Sequence, residues 1–451
     1  MRRRLIPVTV VAALLATVLV VQAQLSRDYT SEFMNNPAGR ALVQTYGALK
    51  SGYLSDIDDD AVIRGAITGM LEALDDPYTY YREPRSASID AQDRTGSFEG
   101  IGVALTTLNR STGRGVEVLN VYRDGPAWDA GVRRGDIFMD VDGVDVSNVT
   151  TTELVDLVRG PRGTTVRITF QRPGESEKVT FDIVRDTIEL IEVSTAMIDD
   201  DIGYLSLRTF GNQRVHEQLV EGLARLQLDG ATSLVLDLRD NGGGLLTQGI
   251  LVADEFLGSG DIVFQRARGV TQRLATADPT GSVDIPMVVL VNRQSASASE
   301  IVAGALQDNG RALVIGENTF GKGVAQSVIS LADGGQLAYM SFEWLTPQRR
   351  SITEEGITPD VMIRDTRLAQ TVFVDGRGGF EGQSVEIVID GEVVGTGTVD
   401  EDGTFSIITT GARPELSEVQ GEALIDVDSD AILARGIEAL RAGESPPVAA
   451  R

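Results

Sequence analysis

The chain has no cysteine and only one histidine, His216, among its 451 residues. The absence of cysteine excludes disulfides, thiolate nucleophiles and thiolate zinc sites, and a single histidine excludes a multi-histidine metal site. Basic residues are also few relative to acidic ones: the chain has 40 lysines and arginines and 66 aspartates and glutamates, which gives a net charge of −26. Nucleic-acid binding needs a basic surface, so this composition argues against that class of partner.

The N-terminus has the order of segments that is typical of an export signal. Three arginines at positions 2–4 precede an apolar run from Leu5 to Val21, and Val21 and Ala23 fit cleavage before Gln24. The run is just short of the roughly 20 residues of a membrane span, so both a cleaved signal peptide (1–23) and an uncleaved anchor (residues 5–21) remain open. In either case we expect the protein to work in the periplasm or cell envelope, in the second case anchored to the cytoplasmic membrane.

Changes in periodicity along the chain predict several units, as the length also suggests. Between 186 and 365, apolar strands alternate with helical patterns, which predicts an α/β core of helices layered on a sheet. The predicted regions are a helical segment (24–93), a β-domain (94–185), the α/β core (186–365), an accessory β-rich module with two DG hairpin signals (366–426), and a C-terminal helix and tail (427–451).

The stretch SASASEIVAGALQDNG (295–310) follows a buried strand and opens a helix. Ser297 and Glu300 have the spacing of a capping box, whereas Ser295 and Ser299 have no acid three residues later. One interpretation is therefore that Ser297 only caps the helix. The other is that Ser297 is a nucleophile, since the Ala298 N–H at the helix start is placed to hold an oxyanion.

A nucleophilic serine needs a base, and the small number of lysines in the chain indicates a candidate for that base. Only three of the basic residues are lysines: Lys50, Lys178 and Lys322. Arginine stays protonated, whereas a desolvated lysine can lose its proton near neutral pH, and Lys322 lies between two glycines in FGKGVAQ. Chance placement of a surface lysine is the alternative. No acid partner of His216 can be recognised from the sequence, and His216 is predicted to be a surface histidine.

A glycine cluster in LVLDLRDNGGGLL follows another buried strand and opens a helix. It does not match a G-x-G-x-x-G fingerprint, because Thr247 occupies the place of the last glycine, and it is not a P-loop. By itself the cluster predicts a tight turn between strand and helix. Beside a nucleophile, its backbone N–H groups could supply the second half of an oxyanion hole.

Together, SASASEIVAGALQDNGRALVIGENTFGKGVAQ and the glycine cluster resemble the carboxyl-terminal processing, or tail-specific, serine proteases, peptidase family S41. The resemblance implies Ser297 as nucleophile, Lys322 as base and Gln326 as the residue that orients the ammonium. It also implies a ClpP/crotonase-like α/β core and a reaction that uses no metal or cofactor. Ala298 and Gly243 then supply the oxyanion N–H groups, with the match at Gly243 fixed to within one residue. Asp308 matches a position with a supporting role in some members.

The segments GSFEGIGVAL and RDGPAWDAGVRRGDIFMDVDGVDV resemble a PDZ domain. The resemblance implies a carboxylate-binding loop that receives a peptide C-terminus through backbone N–H groups of Gly100, Ile101, Gly102 and Val103. An unspecialised β-domain with a G-x-G turn is the alternative. AITGMLEALDDPYTYY is similar to the helical lead-in of the family, with Tyr78 as a departure that we expect to affect packing rather than chemistry.

These observations predict an exported serine endopeptidase that recognises the C-terminus of its substrates. A different class of function is a catalytically inactive or gated PDZ protein that only binds peptides. A third is a crotonase-like enzyme acting on a thioester, against which the export signal and the PDZ segment argue. We expect polypeptide partners with accessible, apolar C-termini, and the helical N-terminus suggests a homo-oligomer.

Overall fold

The computed structural model describes residues 29–109, 112–122, 125–173, 175–279, 283–365, 373–389, 392–400, 403–408, 423, 425, 427 and 430–446. The predicted signal segment (1–23) and the stretch 409–422 of the accessory module lie outside these residues. Among the helices of the described ranges, none combines the length and the hydropathy that crossing a bilayer requires.

The N-terminal region contains a strand as well as the predicted helices. Its elements are α1 (Thr30–Asn35), α2 (Pro37–Gly52), α3 (Asp59–Glu72), β1 (Tyr80–Arg82) and α4 (Pro84–Asp93). Asp58 caps the N-terminus of helix α3, and its side chain accepts a hydrogen bond from Ala61 N. Strand β1 pairs with residues 336–338 of the core, so the segment that follows α3 is tied to the core by a β-ladder. Local periodicity could not show this pairing, because the strand is three residues long.

The segment predicted to be a PDZ domain forms a separate β-sheet with its own core. Phe138 and Phe170 lie at its centre, with ring centroids 4.6 Å apart. A capping box between Thr150 and Glu153 begins its longer helix. The elements are β2 (Ser97–Gly100), β3 (Val103–Asn109), β4 (Arg114–Val121), α5 (Pro126–Ala130), β5 (Ile137–Val141), β6 (Val144–Asp145), α6 (Thr151–Val158), β7 (Thr165–Gln171), β8 (Val179–Val184) and β9 (Asp186–Glu189). The sheet order is β3-β4-β5-β7-β8, and β9 returns to pair with β2.

The α/β core follows the predicted alternation of strands and helices. Its elements are β10 (Val193–Ile198), β11 (Ile202–Leu207), α7 (Val215–Leu228), β12 (Ser233–Asp237), α8 (Leu246–Phe256), β13 (Asp261–Ala267), β14 (Val270–Thr276), β15 (Met287–Val291), α9 (Ala298–Asp308), β16 (Leu313–Gly316), β17 (Val324–Ser330), β18 (Gln336–Leu345) and β19 (Val361–Met362). The main sheet has the order β10-β11-β12-β15-β16-β19, parallel from β11 onward.

Helices cover both faces of the main sheet. The apolar faces of α7, α8 and α9 pack on one side, in a cluster that also includes Val263 and Trp344 of a second sheet built from β1, β18, β13 and β14, with β17 on β18. The C-terminal helix α10 (Ala431–Ala442) packs on the opposite face through Ile432, Leu433 and Ile437. This arrangement confirms the predicted helix-on-sheet core.

The accessory module contains two pairs of antiparallel strands. Its described elements are β20 (Phe373–Arg377), β21 (Ser384–Ile389), β22 (Glu392–Thr398) and β23 (Thr404–Ile408). Strands β21 and β22 pair antiparallel, and so do β20 and β23. The first predicted DG turn, at 390–391, lies outside the described residues. The β-rich character predicted for this stretch is confirmed for these residues.

Candidate active site

The predicted catalytic residues lie on three loops that leave the same edge of the main sheet. Parallel strands end at the same edge, so loops that follow neighbouring strands come together there. The glycine cluster follows β12, the Ser297 turn follows β15, and the Lys322 loop follows β16. The sheet order β12-β15-β16 therefore places the Ser297 loop between the other two.

Ser297 has a backbone conformation that is rare for a residue with a side chain. Its φ is +56° and its ψ is −112°, outside the ordinary left-handed region. Such strained residues persist only where the surrounding contacts hold them, and they cluster at functional sites. The strain therefore favours the interpretation of Ser297 as a nucleophile over that of a simple helix cap, which would not require it.

The Glu300 carboxylate holds the strained turn. It is fully buried and accepts hydrogen bonds from the backbone N–H groups of Ser297 (2.7 Å), Gly321 (2.7 Å) and Lys322 (2.9 Å) and from the Thr319 hydroxyl. Burial raises the pKa of the carboxyl, while these four donors oppose that effect. Glu300 thus joins the serine turn to the lysine loop. The sequence pattern indicated only its bond to Ser297.

The Lys322 side chain is half-buried and faces two groups that come from different parts of the chain. Its Nζ donates to Gln326 Oε1 (3.0 Å) and lies 4.7 Å from the centroid of the Tyr78 ring. Desolvation lowers the pKa of Lys322 below its usual range, and the Glu300 charge partly opposes this. A lysine with a lowered pKa is suited to act as a general base.

Within the described part of the chain, no hydrogen bond joins Ser297 to the Lys322 ammonium, although both loops are tied to Glu300. The two neighbouring serines have structural partners instead. Ser295 Oγ donates to Leu238 O (2.8 Å), and Ser299 Oγ donates to Asn241 O (2.8 Å). Both are fully buried, so Ser297 is the serine of the three whose position suits a reaction with substrate.

The glycine cluster packs directly against the Ser297 turn. A Cβ built on Gly243 would lie 2.8 Å from Ser297 Cβ and 2.6 Å from Ala296 O, so only glycine fits there. The Gly243 N–H donates to Asn241 Oδ1 (2.9 Å), and this bond has to break before that N–H can bind an oxyanion. Ala298 is the first residue of α9, and its N–H has no acceptor within the helix.

Asp308 lies at the other end of α9 from Ser297. Eleven helical residues separate the two ends by about 16 Å. Its buried carboxylate binds Arg350 and accepts a hydrogen bond from Gln348 N (2.9 Å). The structure therefore does not bring Asp308 to the Ser297 and Lys322 side chains, and its contacts anchor the C-terminus of the helix.

The prediction that His216 is a surface histidine is wrong. Its side chain is 16% exposed, and Nε2 lies 3.0 Å from Oε2 of Glu255 on α8. The partner could not be found from sequence, because the contact depends on how α7 packs against α8. Among the described residues there is also no cluster of three acidic or histidine side chains that could hold a metal ion.

The predicted carboxylate-binding loop joins β2 to β3. The carbonyl of Ile101 accepts from Ala127 N (2.8 Å), and that of Gly102 accepts from Tyr122 N (3.0 Å). In a trans peptide the N–H points opposite to the carbonyl, so the N–H groups of Gly102 and Val103 point away from these partners. Gly102 has a φ of +80°, which the turn requires.

Family comparisons agree with this architecture. A profile described as Peptidase family S41 matches residues 201–363, which span the glycine cluster, Ser297 and Lys322. A PDZ domain profile matches residues 117–172. A third profile, described as Activating protease CtpB N-terminal domain, matches residues 19–85.

Individual proteins match over most of the chain. A carboxy-terminal-processing protease of Bartonella bacilliformis is 39% identical over 70% of this chain and 72% of its own length. The carboxy-terminal processing protease CtpA of Bacillus subtilis is 32% identical over 77% of this chain and 74% of its own. A solved photosystem II D1 C-terminal processing protease is 32% identical, covers 74% of this chain and 88% of its own, and has a TM-score of 0.44. The chain belongs to the carboxy-terminal processing proteases of peptidase family S41 and is a serine-type peptidase with a PDZ domain.

Proposed function

We propose that this peptidase is exported, binds the C-terminus of substrate polypeptides through its PDZ domain and cleaves them with a Ser297/Lys322 dyad. One observation carries the proposal. The strained Ser297 turn and the loop of the half-buried Lys322 share a single carboxylate, that of Glu300, as hydrogen-bond acceptor. A helix cap and a surface lysine would need no such common anchor.

In the proposed reaction, Ser297 Oγ attacks the carbonyl carbon of the scissile peptide while neutral Lys322 Nζ accepts the hydroxyl proton. The N–H groups of Ala298 and Gly243 stabilise the oxyanion of the tetrahedral intermediate. Its collapse breaks the C–N bond, and the leaving amine takes the proton from Lys322. Water then attacks the acyl-enzyme with Lys322 again as base, which releases the carboxylic acid and restores Ser297.

The described arrangement also favours a gated form of this enzyme. Lys322 Nζ donates to Gln326 rather than to Ser297, and the Gly243 N–H donates to Asn241. Both groups have to change partners before they can serve the reaction. We propose that binding of a substrate C-terminus supplies the free energy for this change, which would make the PDZ domain a regulator as well as a tether.

Recognition of the substrate C-terminus is assigned to the loop from Gly100 to Val103. The N–H groups of Gly102 and Val103 are the donors proposed for the terminal carboxylate, with the peptide adding as a strand. We further propose that residues 1–23 direct the chain to the periplasm or cell envelope, or anchor it to the cytoplasmic membrane through residues 5–21. The N-terminal helices are proposed to support a homo-oligomer.

The test uses an unfolded protein ending in an apolar tail such as -LAA. We would compare its cleavage by the wild type, Ser297→Ala and Lys322→Ala, with an amidated or charged tail as control. The proposal expects both substitutions to abolish cleavage and the altered tail to slow it. Cleavage by Ser297→Ala at the wild-type rate would rule out Ser297 as nucleophile. Tail binding without cleavage by the wild type would favour the inactive PDZ protein instead.

A further inference from the structure

Tyr78 contacts both the proposed base and the side chain that binds this base, although it lies far from the core in sequence. Its ring faces Lys322 Nζ at 4.7 Å from the centroid, within the range of a cation–π interaction. Its carbonyl accepts a hydrogen bond from Gln326 Nε2 (2.6 Å). The residue therefore touches both the lysine and the amide that binds the lysine.

We propose that Tyr78 is a positioning residue that holds Lys322 in its charged, resting form beside Gln326. The inference rests on the proposed Ser297/Lys322 dyad and adds a device that sets when the base becomes active. An aromatic face attracts an ammonium but not a neutral amine, so the ring favours the protonated lysine. A protonated lysine cannot accept the serine proton.

The backbone carbonyl of Tyr78 fixes the direction of the Gln326 amide. A carbonyl only accepts, so it takes the NH₂ group of Gln326 and leaves Oε1 to face the Lys322 ammonium, which only donates. The reverse orientation of the amide would set two donors against each other at Lys322. Tyr78 thus makes Gln326 an acceptor for the charged lysine.

Other contacts hold Tyr78 in place. Its N–H donates to Asp76 Oδ1 (2.9 Å), and Thr79 Oγ1 donates to the same carboxylate. Strand β1 begins two residues later and pairs with β18. The charged side chain that acts on Lys322 is Glu300, which faces it from α9, so Tyr78 and Glu300 both favour the charged form against desolvation. A shift of the N-terminal segment would withdraw the ring and the carbonyl together.

The test measures the protonation of Lys322 directly. With only three lysines in the chain, full-length protein carrying ¹³C-labelled lysine gives few side-chain signals. Lys50 and Lys178 serve as internal references, and Lys322→Arg assigns the third signal. All variants in this titration carry Ser297→Ala, which prevents self-cleavage, and are kept in mild detergent. Parent, Tyr78→Phe and Tyr78→Leu would be titrated with pH.

In Tyr78→Phe, which keeps the aromatic face, we expect Lys322 to titrate at the same pH as in the parent. In Tyr78→Leu, which keeps an apolar cover but no ring, the midpoint of Lys322 should move to lower pH by about half a pH unit. An equal or higher midpoint in Tyr78→Leu would overturn the proposal, because it would mean that the ring acts only by excluding water. Tyr78→Met serves as a second ring-free variant if the leucine variant does not fold.

The pH dependence of kcat/KM in the active enzyme separates this inference from the dyad itself. The acid limb should move to lower pH in Tyr78→Leu and stay in place in Tyr78→Phe, with Lys322→Arg inactive throughout. Activity in Lys322→Arg would refute the dyad while leaving the direct titration to judge Tyr78. An inactive Lys322→Arg together with an unmoved acid limb in Tyr78→Leu would refute only the role of Tyr78.

Discussion

The carboxylate of Glu300 accepts a hydrogen bond from the backbone N–H of Lys322 at 2.9 Å, and so fixes the loop of the proposed base to the helix of the proposed nucleophile. The same carboxylate holds the N–H of Ser297. A single buried side chain therefore sets the relative position of the two loops, and several measurable consequences follow from its contacts and from those around it.

Glu300→Gln should reduce activity strongly. The amide keeps one oxygen acceptor but turns an NH₂ group toward backbone donors, so some of the four bonds are lost and the loops move apart. A displacement of about 1 Å at a catalytic group lowers the rate by roughly 100-fold, which we expect in kcat/KM. Glu317→Gln is the matched control, because Glu317 pairs with the exposed Arg293. Full activity of Glu300→Gln would contradict the role of this carboxylate.

Ser295→Ala should affect stability rather than catalysis. The buried hydroxyl donates to Leu238 O and accepts from Asn292 N, and its removal leaves both groups without that partner. We expect the free energy of unfolding to fall by about 1–3 kcal/mol in denaturant titrations, with the activity of the folded protein preserved. Ser297→Ala should show the opposite behaviour. Loss of activity in Ser295→Ala at unchanged stability would mean that the two serines have been assigned the wrong roles.

Gly243→Ala should be severely impaired, because the added Cβ would collide with Ala296 O and Ser297 Cβ and because the φ of +92° disfavours a side chain. The neighbouring glycine provides the control, since a Cβ on Gly242 meets nothing within 4 Å. We expect a loss of about 100-fold in kcat/KM for Gly243→Ala and a change within about twofold for Gly242→Ala. Equal effects at the two positions would show that the close contact with Ser297 is unimportant.

Asp430→Ala should destabilise the core. Asp430 caps α10 by accepting from Leu433 N, and it binds the buried Arg239, which also pairs with Asp237 at the end of β12. Removing one partner of a buried ionic group costs about 3 kcal/mol, which thermal or denaturant unfolding would detect. Glu438→Ala on the exposed side of the same helix is the control. Unchanged stability of Asp430→Ala would show that α10 is not an integral part of the core.

Those features of the site that depend on residues close together in the sequence could be predicted. An apolar run predicts the buried strand before Ser297, and an amphipathic period predicts the helix after it. The NG signal marks where that helix ends, and Ser297 lies in the turn between the two elements. The identity of Lys322 as a candidate base came from lysine usage and its glycine neighbours. Its lowered pKa has the cause expected from sequence, which is desolvation.

Other features depended on contacts between distant segments and could not be predicted. The single histidine was assigned to the surface because its partner, Glu255, lies on another helix. Asp308 was associated with the site by its position in a motif, whereas α9 carries it to the opposite end. Tyr78 was expected to affect packing alone, because nothing in its neighbourhood along the chain shows that it faces Lys322.

The sequence alone determined the alternation of strands and helices in the α/β core, the candidate serine and lysine, and the resemblance to the family. These properties depend on periodicity and on short motifs that each lie within one stretch of chain. The tertiary structure decided that Glu300 joins both catalytic loops, that Lys322 rests against Tyr78, and that His216 pairs with Glu255. Such contacts arise only when segments that are distant in sequence pack side by side, so no local pattern encodes them.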